Sequence, residues 1–172
     1  MLAISLPATA LLQDVEAASS IEAKRNKVVQ TALSLQNKVE YVNWRQRQEI
    51  RAPYKTDCSG FTYLAYRLAN VGLKLVNKDD DGQAKVGQKV FGGNFKIGDL
   101  IFFWLDSSDK KNVGHVGIYI GDGKMIHNIT AKRAKKDHHT RMAGLGVIFF
   151  LDYFRNIGEG AKAPFTPAYC RH

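Results

Sequence analysis

Two apolar runs separated by a short glycine turn constrain this chain more than any other feature of its sequence. The runs from Val113 to Ile120 and from Lys124 to Ile129 flank Gly121-Asp122-Gly123. Glycine and aspartate between two such runs are typical of a β-hairpin. Further apolar runs from Leu100 to Leu105 and from Val147 to Leu151 predict two more strands. The second half of the chain is therefore predicted to form an antiparallel sheet.

The first half of the chain carries helical patterns. Residues 19–40 predict one helix, because Ser19 and Glu22 have the spacing of a capping box and apolar residues recur on one face. Residues 58–70 predict a second helix that ends at a Gly72 cap. Between and after them, residues 41–57 and 77–98 are predicted to be irregular. The predicted apolar faces consist of Ile21, Val28, Ala32, Leu35 and Val39 in the first helix and Phe61, Leu64, Ala65 and Leu68 in the second.

Composition narrows the class of protein. The chain has 172 residues, of which 45% are hydrophobic and 24% charged, so collagen-like, disordered and coiled-coil structures are excluded. No apolar run approaches the roughly 20 residues that a membrane-spanning helix requires. Helices followed by an antiparallel sheet predict an α+β fold. The net charge of +9 favours nucleic acid, anionic lipid or an acidic wall polymer as partner, although a basic surface that is simply hydrated explains it equally well.

The N-terminal residues predict export from the cell. Leu2 to Leu12 is an apolar stretch as long as the hydrophobic region of a signal peptide, and residues 15–17 supply small side chains for a cleavage site. The usual cationic region is missing, so a plain apolar tail is the alternative. We interpret residues 1–17 as a signal-peptide remnant, residues 18–158 as one domain and residues 159–172 as a flexible tail.

Cys58 is the first candidate for chemistry. It lies in Asp57-Cys58-Ser59-Gly60-Phe61, at the predicted start of the second helix. Helix N–H groups and the macrodipole favour a thiolate there and predict a lowered cysteine pKa; the same groups can stabilise an oxyanion. A small buried hydrophobic residue is the alternative. Cys170, the only other cysteine, is interpreted as a thiol in the tail. The sequence has no zinc-binding motif, so no metal or other cofactor is expected.

Two histidines on the predicted hairpin supply a base and a partner for it. His115 lies between Gly114 and Val116-Gly117, and His127 follows on the other strand. His127 is predicted to orient His115 as the third member of a triad. A two-residue turn places the two rings on opposite faces of the sheet, whereas a three-residue loop or an equivalent bulge places them on one face. The triad therefore requires the second arrangement.

These motifs together resemble a known family. The segments at residues 57–61, GDLIFFW at 98–104 and GHVGIYIGDGKMIH at 114–127 occur in the order seen in the NlpC-type (NlpC/p-sixty) cell-wall peptidases. The segment QAKVGQKV at 83–90 is similar to the one that these enzymes place before the GDL strand. The resemblance covers about residues 25–155 and implies a papain-like core in which the nucleophile helix packs on an antiparallel sheet.

The resemblance also implies an activity and residue roles. The substrate is expected to be the stem peptide of bacterial peptidoglycan, cut between γ-D-glutamate and the following diamino acid. Cys58 is the expected nucleophile, His115 the base and acid, and His127 the residue that holds His115. Asp57 and Ser59 resemble positions that line the pocket for the amino end of the stem peptide. For Ser59, a helix-starting residue that satisfies its own backbone is the alternative.

One departure from the family concerns the oxyanion hole. The family carries an upstream tyrosine before a double glycine that is absent here. Tyr41 is the best match, and Tyr54 is the alternative. The basic segment at residues 131–142 is either an attractant for anionic wall polymers or a solvated loop, and we expect no nucleic-acid binding because no module for it is visible. The expected location is secreted, at the bacterial cell wall.

Three other functions stay open on this scaffold. A peptidoglycan amidase and an acyltransferase would use the same cysteine and histidine. A non-catalytic wall-binding protein would bind sacculi without cutting them. The sequence does not predict an oligomeric state.

Overall fold

The structure, a computed structural model, describes residues 8–48, 51–72, 75, 79–85, 88–90, 94–104, 113–130, 144–149 and 169–171. It contains three helices within these ranges: α1 (Ala8–Ser34), α2 (Cys58–Ala69) and the short α3 (Asp80–Ala84). A single 3₁₀ turn spans Trp44–Gln46. In the part of the chain so described, no helix is both long and apolar enough to cross a membrane.

Strands make up the rest of the regular structure. Short parallel strands β1 (Val39–Tyr41) and β2 (Tyr54–Thr56) pair with each other ahead of α2. The six remaining strands form one antiparallel sheet in the order β3-β8-β4-β5-β6-β7. Their bounds are β3 (Gln88–Val90), β4 (Leu100–Trp104), β5 (Val113–Gly121), β6 (Lys124–Ile129), β7 (Gly144–Phe149) and β8 (Tyr169–Arg171). The predicted α+β fold with helices ahead of an antiparallel sheet is thus confirmed.

The central strands alternate between two apolar clusters, as the period of two along a strand requires. Leu100, Phe102, Val116, Ile118 and Ile126 are buried in the main core together with the inner faces of α1 and α2. Their neighbours along the same strands form a second cluster, which consists of Ile101, Phe103 and Met125 with Val90, Phe95 and Tyr119 packed against it. The sheet therefore has buried side chains on both faces, and α2 lies on one of them.

The helices differ from the prediction at their ends. α1 begins at Ala8 instead of residue 19 and crosses residue 17, the predicted leader boundary. It ends at Ser34, and Val39 belongs to a strand. Two predicted core residues are exposed: Ile21 on α1 and Leu68 on α2. Leu68 lies on the solvent side of α2 although Ala65 and Ala69 on either side of it are buried.

The cap of α2 was also assigned to the wrong residue. Asn70, with a φ of 48°, adopts the left-handed conformation that ends the helix, and its backbone N–H donates to the Arg67 carbonyl. Asparagine is one of the few residues with a side chain that adopts this conformation readily. Gly72, with a φ of +80°, lies beyond the cap.

Two segments predicted to be irregular contain regular structure. Residues 41–57 include the end of β1, the 3₁₀ turn and β2, while residues 77–98 include α3 and β3. The predicted flexible tail is wrong for Tyr169–Arg171, because this strand pairs with both β3 and β4. Cys170 therefore belongs to the sheet. The basic segment at 131–142 and the rest of residues 159–172 lie outside the described residues.

An ion pair fixes α1 to the segment ahead of β4. Arg25 Nη1 lies 2.6 Å from Asp99 Oδ1 and donates to the Ile97 carbonyl at 2.9 Å. The Asp99 carboxylate, which is fully buried, also accepts the Lys96 N–H at 2.9 Å. The Tyr66 hydroxyl of α2 donates to the Gly98 carbonyl beside them. The residues 98–99 of the GDL motif thus hold both long helices on the sheet.

Candidate active site

Cys58 occupies the first position of α2, as the sequence predicted. Asp57 is extended and forms the N-cap, and its Oδ1 accepts the Gly60 N–H at 2.9 Å. A capping aspartate satisfies one of the N–H groups that a helix start leaves without an intrahelical acceptor. The cysteine is a free thiol and is 9% exposed. It therefore lies at a capped helix start, at the margin of the main core.

The residues on both sides of Cys58 are bound by one guanidinium. Arg47 Nη2 lies 2.6 Å from Asp57 Oδ2 and donates to Ser59 Oγ at 2.8 Å. The Ser59 hydroxyl lies 3.5 Å from Asp57 Oδ1. Asp57 and Ser59, predicted to bind substrate, thus lie together beside the nucleophile and contact Arg47 of the chain itself.

The main chain around Cys58 is anchored to strand β6. Asn128 Nδ2 donates to the Thr56 carbonyl at 2.9 Å and to Thr56 Oγ1 at 3.0 Å. Both residues are fully buried. Asn128 follows His127 directly, so these two bonds hold the segment that leads into the nucleophile against the strand that carries the second histidine.

The histidines lie together because of a bulge. A two-residue turn of Asp122 and Gly123, both with positive φ, joins β5 to β6. The register shifts between Tyr119 and Gly121, which inserts one extra residue and returns His115 and His127 to one face. His115 Nε2 and His127 Nδ1 are 2.8 Å apart, the length of a hydrogen bond. The predicted equivalent of a three-residue loop is therefore confirmed as this bulge.

Gly117 provides the space for this contact. A Cβ at Gly117 would lie 3.3 Å from the His127 Cβ, a tight contact, and 2.9 Å from the Met125 sulfur, a distance that real Cβ atoms essentially never show. His115 itself contacts the ring of Phe103, with centroids 5.8 Å apart, directly after a second register shift in β5. Both histidines are buried. Glycine at this position thus permits the close approach that the sequence suggested.

The predicted lowering of the Cys58 pKa is wrong for the protein without substrate. Burial, together with the smaller effects of the Asp80 and Asp57 carboxylates, raises the pKa of Cys58 from 9.0 to about 12. The backbone N–H groups of Ser59 and Val116 act in the opposite direction. The helix start therefore contributes as expected, but desolvation of the thiolate outweighs it.

Cys58 lies against strand β5 at the residue next to His115. Cys58 interacts with the backbone of Val116, the residue that follows His115. Val116 points into the main core with α2, and His115 points toward Phe103. The structure thus brings the two histidines together and brings Cys58 to the adjacent residue of β5. The roles of Cys58, His115 and His127 in catalysis stay predictions.

The two candidate tyrosines occupy opposite ends of the β1–β2 pair. Tyr41 pairs with Thr56, two residues before Cys58, whereas Tyr54 pairs with Val39 and packs against the main core. Val42 N–H also donates to the Thr56 carbonyl at 2.9 Å. Tyr41 therefore lies at the end of the pair that leads into the nucleophile, and its oxyanion role stays a prediction.

Three residues near Cys58 were not found from the sequence. Arg47 contacts both residues that flank Cys58, Asp80 raises the pKa of Cys58, and Asn128 anchors Thr56. None of them belongs to a recognisable motif or apolar pattern. Asn128 follows His127 directly, which is the one hint available before the fold is known. Within the described residues, no group of three or more histidine, cysteine, aspartate or glutamate side chains is arranged to hold a metal ion.

Comparison with known proteins places this geometry in context. The sequence model of the NlpC/P60 family matches residues 40–144. A γ-D-glutamyl-L-lysine dipeptidyl-peptidase of Bacillus cereus is 41% identical over 78 residues, which are 45% of this chain and 22% of that protein. A murein DD-endopeptidase MepS/murein LD-carboxypeptidase of Escherichia coli is 33% identical over 95 residues, 54% of this chain and 47% of that protein. The chain thus matches less than half the length of either relative.

A solved structure shows the same fold. RipD from Mycobacterium tuberculosis, described as a non-catalytic NlpC/p60 domain protein adapted to peptidoglycan binding, aligns with a TM-score of 0.53. The alignment covers 86% of this chain and 96% of that one at 22% identity. The papain-like arrangement of a helix on an antiparallel sheet is therefore shared with a domain of this kind.

Proposed function

Because the chain belongs to the NlpC/P60 family, we propose that it is a cysteine endopeptidase that hydrolyses the stem peptides of bacterial peptidoglycan. The observation that carries the proposal is the 2.8 Å contact between His115 Nε2 and His127 Nδ1. A thiol hydrolase requires a cysteine and a histidine whose ring is held by a second polar group. Here the helix-start Cys58 interacts with the backbone of Val116, the residue next to His115. The names of the relatives point to the same substrate class.

The proposed reaction assigns one role to each group. The thiol proton of Cys58 passes to His115 Nδ1 while sulfur bonds to the substrate carbonyl carbon. Helix N–H groups at the start of α2 and the Tyr41 hydroxyl stabilise the oxyanion. The carbon–nitrogen bond then breaks, and His115 gives its proton to the leaving amine. Water, deprotonated by His115, hydrolyses the thioester, and the thiol regains its proton.

His127 acts in this scheme through its contact with His115. With Nε2 of His115 directed at His127, Nδ1 is the nitrogen assigned to the exchange with the thiol. The contact fixes the ring and stabilises the imidazolium that forms. The raised pKa of Cys58 keeps the thiol protonated in the protein without substrate. The thiolate is therefore made at the moment of attack.

We assign the cut to the bond between γ-D-glutamate and the diamino acid that follows. This assignment rests on the name of the Bacillus cereus relative, a γ-D-glutamyl-L-lysine dipeptidyl-peptidase. The Escherichia coli relative is named for a different bond, and an amidase or acyltransferase on this scaffold would act on yet others. Each bond releases a different fragment.

A non-catalytic wall-binding protein is the second candidate. It is favoured by the 9% exposure of Cys58 and by the rise of its pKa to about 12. RipD is described in these terms. Such a protein binds sacculi, leaves them intact and does not depend on the Cys58 thiol.

The deciding experiment is a digest of purified muropeptides analysed by mass spectrometry. Wild type is expected to release fragments cut after γ-D-glutamate, and Cys58→Ala and His115→Ala are expected to release none. His127→Ala is expected to be weakened, and Cys170→Ala, which removes the other cysteine, is the control with wild-type turnover. Intact muropeptides after digestion with wild type, or full turnover by Cys58→Ala, would contradict the proposal.

The proposed place of action is the bacterial cell wall after secretion. The proposal rests on the apolar run from Leu2 to Leu12 and on the substrate class. The net charge of +9 also suits anionic wall polymers. Fractionation of cells that express the chain tests the location, and retention of the protein in the cytoplasm would contradict it.

A further inference from the structure

We infer that Arg47 determines which stem peptides this site accepts, and that it selects peptides whose amino end is acylated over peptides with a free amine. The inference rests on the proposed function and adds a substrate class to it. Arg47 lies ahead of β2 and reaches both neighbours of the nucleophile. Groups next to a helix-start nucleophile border the peptide close to the bond that is cut.

The acceptors at this position would otherwise suit a cation. Asp57 supplies a carboxylate and Ser59 a hydroxyl, on the two sides of Cys58. An ammonium group donates three hydrogen bonds and favours such a pair of oxygens. If no other group of the protein bound them, the Asp57 carboxylate and the Ser59 hydroxyl would therefore form a binding site for an amine.

Here the chain supplies that cation itself. Arg47 Nη2 lies 2.6 Å from Asp57 Oδ2 and 2.8 Å from Ser59 Oγ, so a single nitrogen contacts both acceptors. The other Asp57 oxygen accepts the Gly60 N–H at 2.9 Å as the helix cap. Both side chains of the ion pair are mostly buried, at 15% and 11% exposure. Such a pair is screened much less by water than a surface pair.

A substrate ammonium therefore meets a guanidinium where it would need a carboxylate. It has either to displace Arg47 from its ion pair or to lie beside a like charge, and both reduce affinity. An acylated amino end is neutral and carries no such penalty. Stem peptides whose amino end is joined to the glycan through an amide have this chemistry, whereas released peptides carry the free amine. The geometry thus points to glycan-linked stem peptides as the substrate.

The test compares one stem-peptide fragment with a free amino end and the same fragment after N-acetylation. Wild type is expected to cleave the acetylated fragment with a higher kcat/KM than the fragment with the free amine. Arg47→Met is expected to shift this ratio tenfold or more toward the free amine, because Asp57 loses its internal cation. Arg47→Lys keeps a cation and is expected to retain the wild-type preference. Arg45→Met, an exposed arginine two residues away, is the matched control.

Binding separates this inference from its premise. Calorimetry of both fragments with Cys58→Ala gives the ratio of their affinities without turnover. The ratio of kcat/KM values for wild type is a second test, and it does not depend on whether the Arg47 variants fold. Equal or higher kcat/KM of wild type for the free amine, or an unchanged ratio in Arg47→Met, overturns the inference and leaves the peptidase intact. Failure of wild type to bind and cleave either fragment overturns the proposed function, and this inference with it.

Discussion

Two arginine–aspartate pairs of the same length occur among the residues that the structure describes, and they have different functions. Arg25 and Asp99, 2.6 Å apart, join α1 to the segment ahead of β4, and the carboxylate is fully buried. Arg47 and Asp57, also 2.6 Å apart, lie beside the nucleophile, and this aspartate side chain is 11% exposed. The first pair connects residues 74 apart in sequence, and the second connects residues ten apart. Equal geometry therefore does not imply equal function; the position of the pair relative to solvent and to Cys58 decides it.

The largest expected effect is the loss of stability when the enclosed pair is broken. Arg25→Met leaves the Asp99 carboxylate buried without its cation, and removal of one partner of a buried pair costs about 3–5 kcal/mol. Urea unfolding measures the change, and Lys24→Met, at an exposed neighbouring position, is the control. A loss below about 1 kcal/mol would show that the pair is not a structural anchor.

The pair beside the nucleophile is expected to contribute less to folding. Arg47→Met should lower the free energy of unfolding by about 1–2 kcal/mol, between the values for exposed and buried pairs, because both side chains keep contact with water. The same urea titration checks it, with Arg45→Met as the control. A loss as large as that of Arg25→Met would make Arg47 a structural residue and remove the distinction between the two pairs.

The effect of a neighbouring charge on the pKa of Cys58 can be tested apart from the Arg47–Asp57 ion pair. Asp80 raises the pKa of Cys58 more than Asp57 does, although Asp57 is its sequence neighbour. Asp80→Asn is therefore expected to speed alkylation of Cys58 near pH 8 by up to about tenfold, since one pKa unit is a factor of ten in thiolate. Peptide mapping follows Cys58, and Cys170 serves as internal reference. A larger acceleration from Asp57→Asn would reverse the assignment.

The raised pKa of Cys58 also predicts how stability depends on pH. The folded protein holds the neutral thiol, so this contribution is fully present below pH 9.0 and is lost as pH rises toward about 12. Cys58→Ala should lose less stability than wild type over this interval. Parallel curves for the two proteins in thermal unfolding between pH 8 and 11 would contradict the burial of the thiol.

The smallest effect is expected at a surface pair. Lys55 Nζ lies 3.1 Å from Glu40 Oε2, and the side chains are 38% and 61% exposed. Lys55→Met should change the free energy of unfolding by less than about 0.5 kcal/mol. Unfolding in low and high salt measures it, with Lys38→Met as the control. A loss of unfolding free energy above about 1 kcal/mol would show that the contributions of the three ion pairs to stability do not follow the exposure of their side chains.

The secondary-structure elements that could be predicted are those specified by residues close together in the sequence. Strand β6 matches its predicted bounds and β4 and β5 differ by one residue, because alternating side chains and the turn at Asp122-Gly123 act over a few positions. Strands β1, β2, β3 and β8 are three residues long and exist through partners elsewhere in the chain. Three residues are too few to show a period, so β2, β3 and β8 were predicted as loop or tail, and Val39 and Glu40 of β1 were predicted as the end of the first helix.

The candidate site also contains features that the local sequence predicts and features that depend on the tertiary fold. Counting residues around the turn showed that the triad requires a three-residue loop or an equivalent bulge, and the structure has the bulge. The cap at Asp57 was not predicted. The pKa of Cys58 was predicted in the wrong direction, because burial depends on what packs against the helix start. Arg47 gave no signal, since only the tertiary fold brings its side chain to Ser59.

The extra residue between Tyr119 and Gly121 has a consequence for how this sequence can change. Side chains on a strand alternate, so an insertion or deletion of one residue in the hairpin turns His127 away from His115. Such a change separates the two rings and also exchanges the faces of Met125 and Ile126, which belong to different apolar clusters. Descendants of this gene that keep the two rings together can therefore alter the length of the turn only in steps of two.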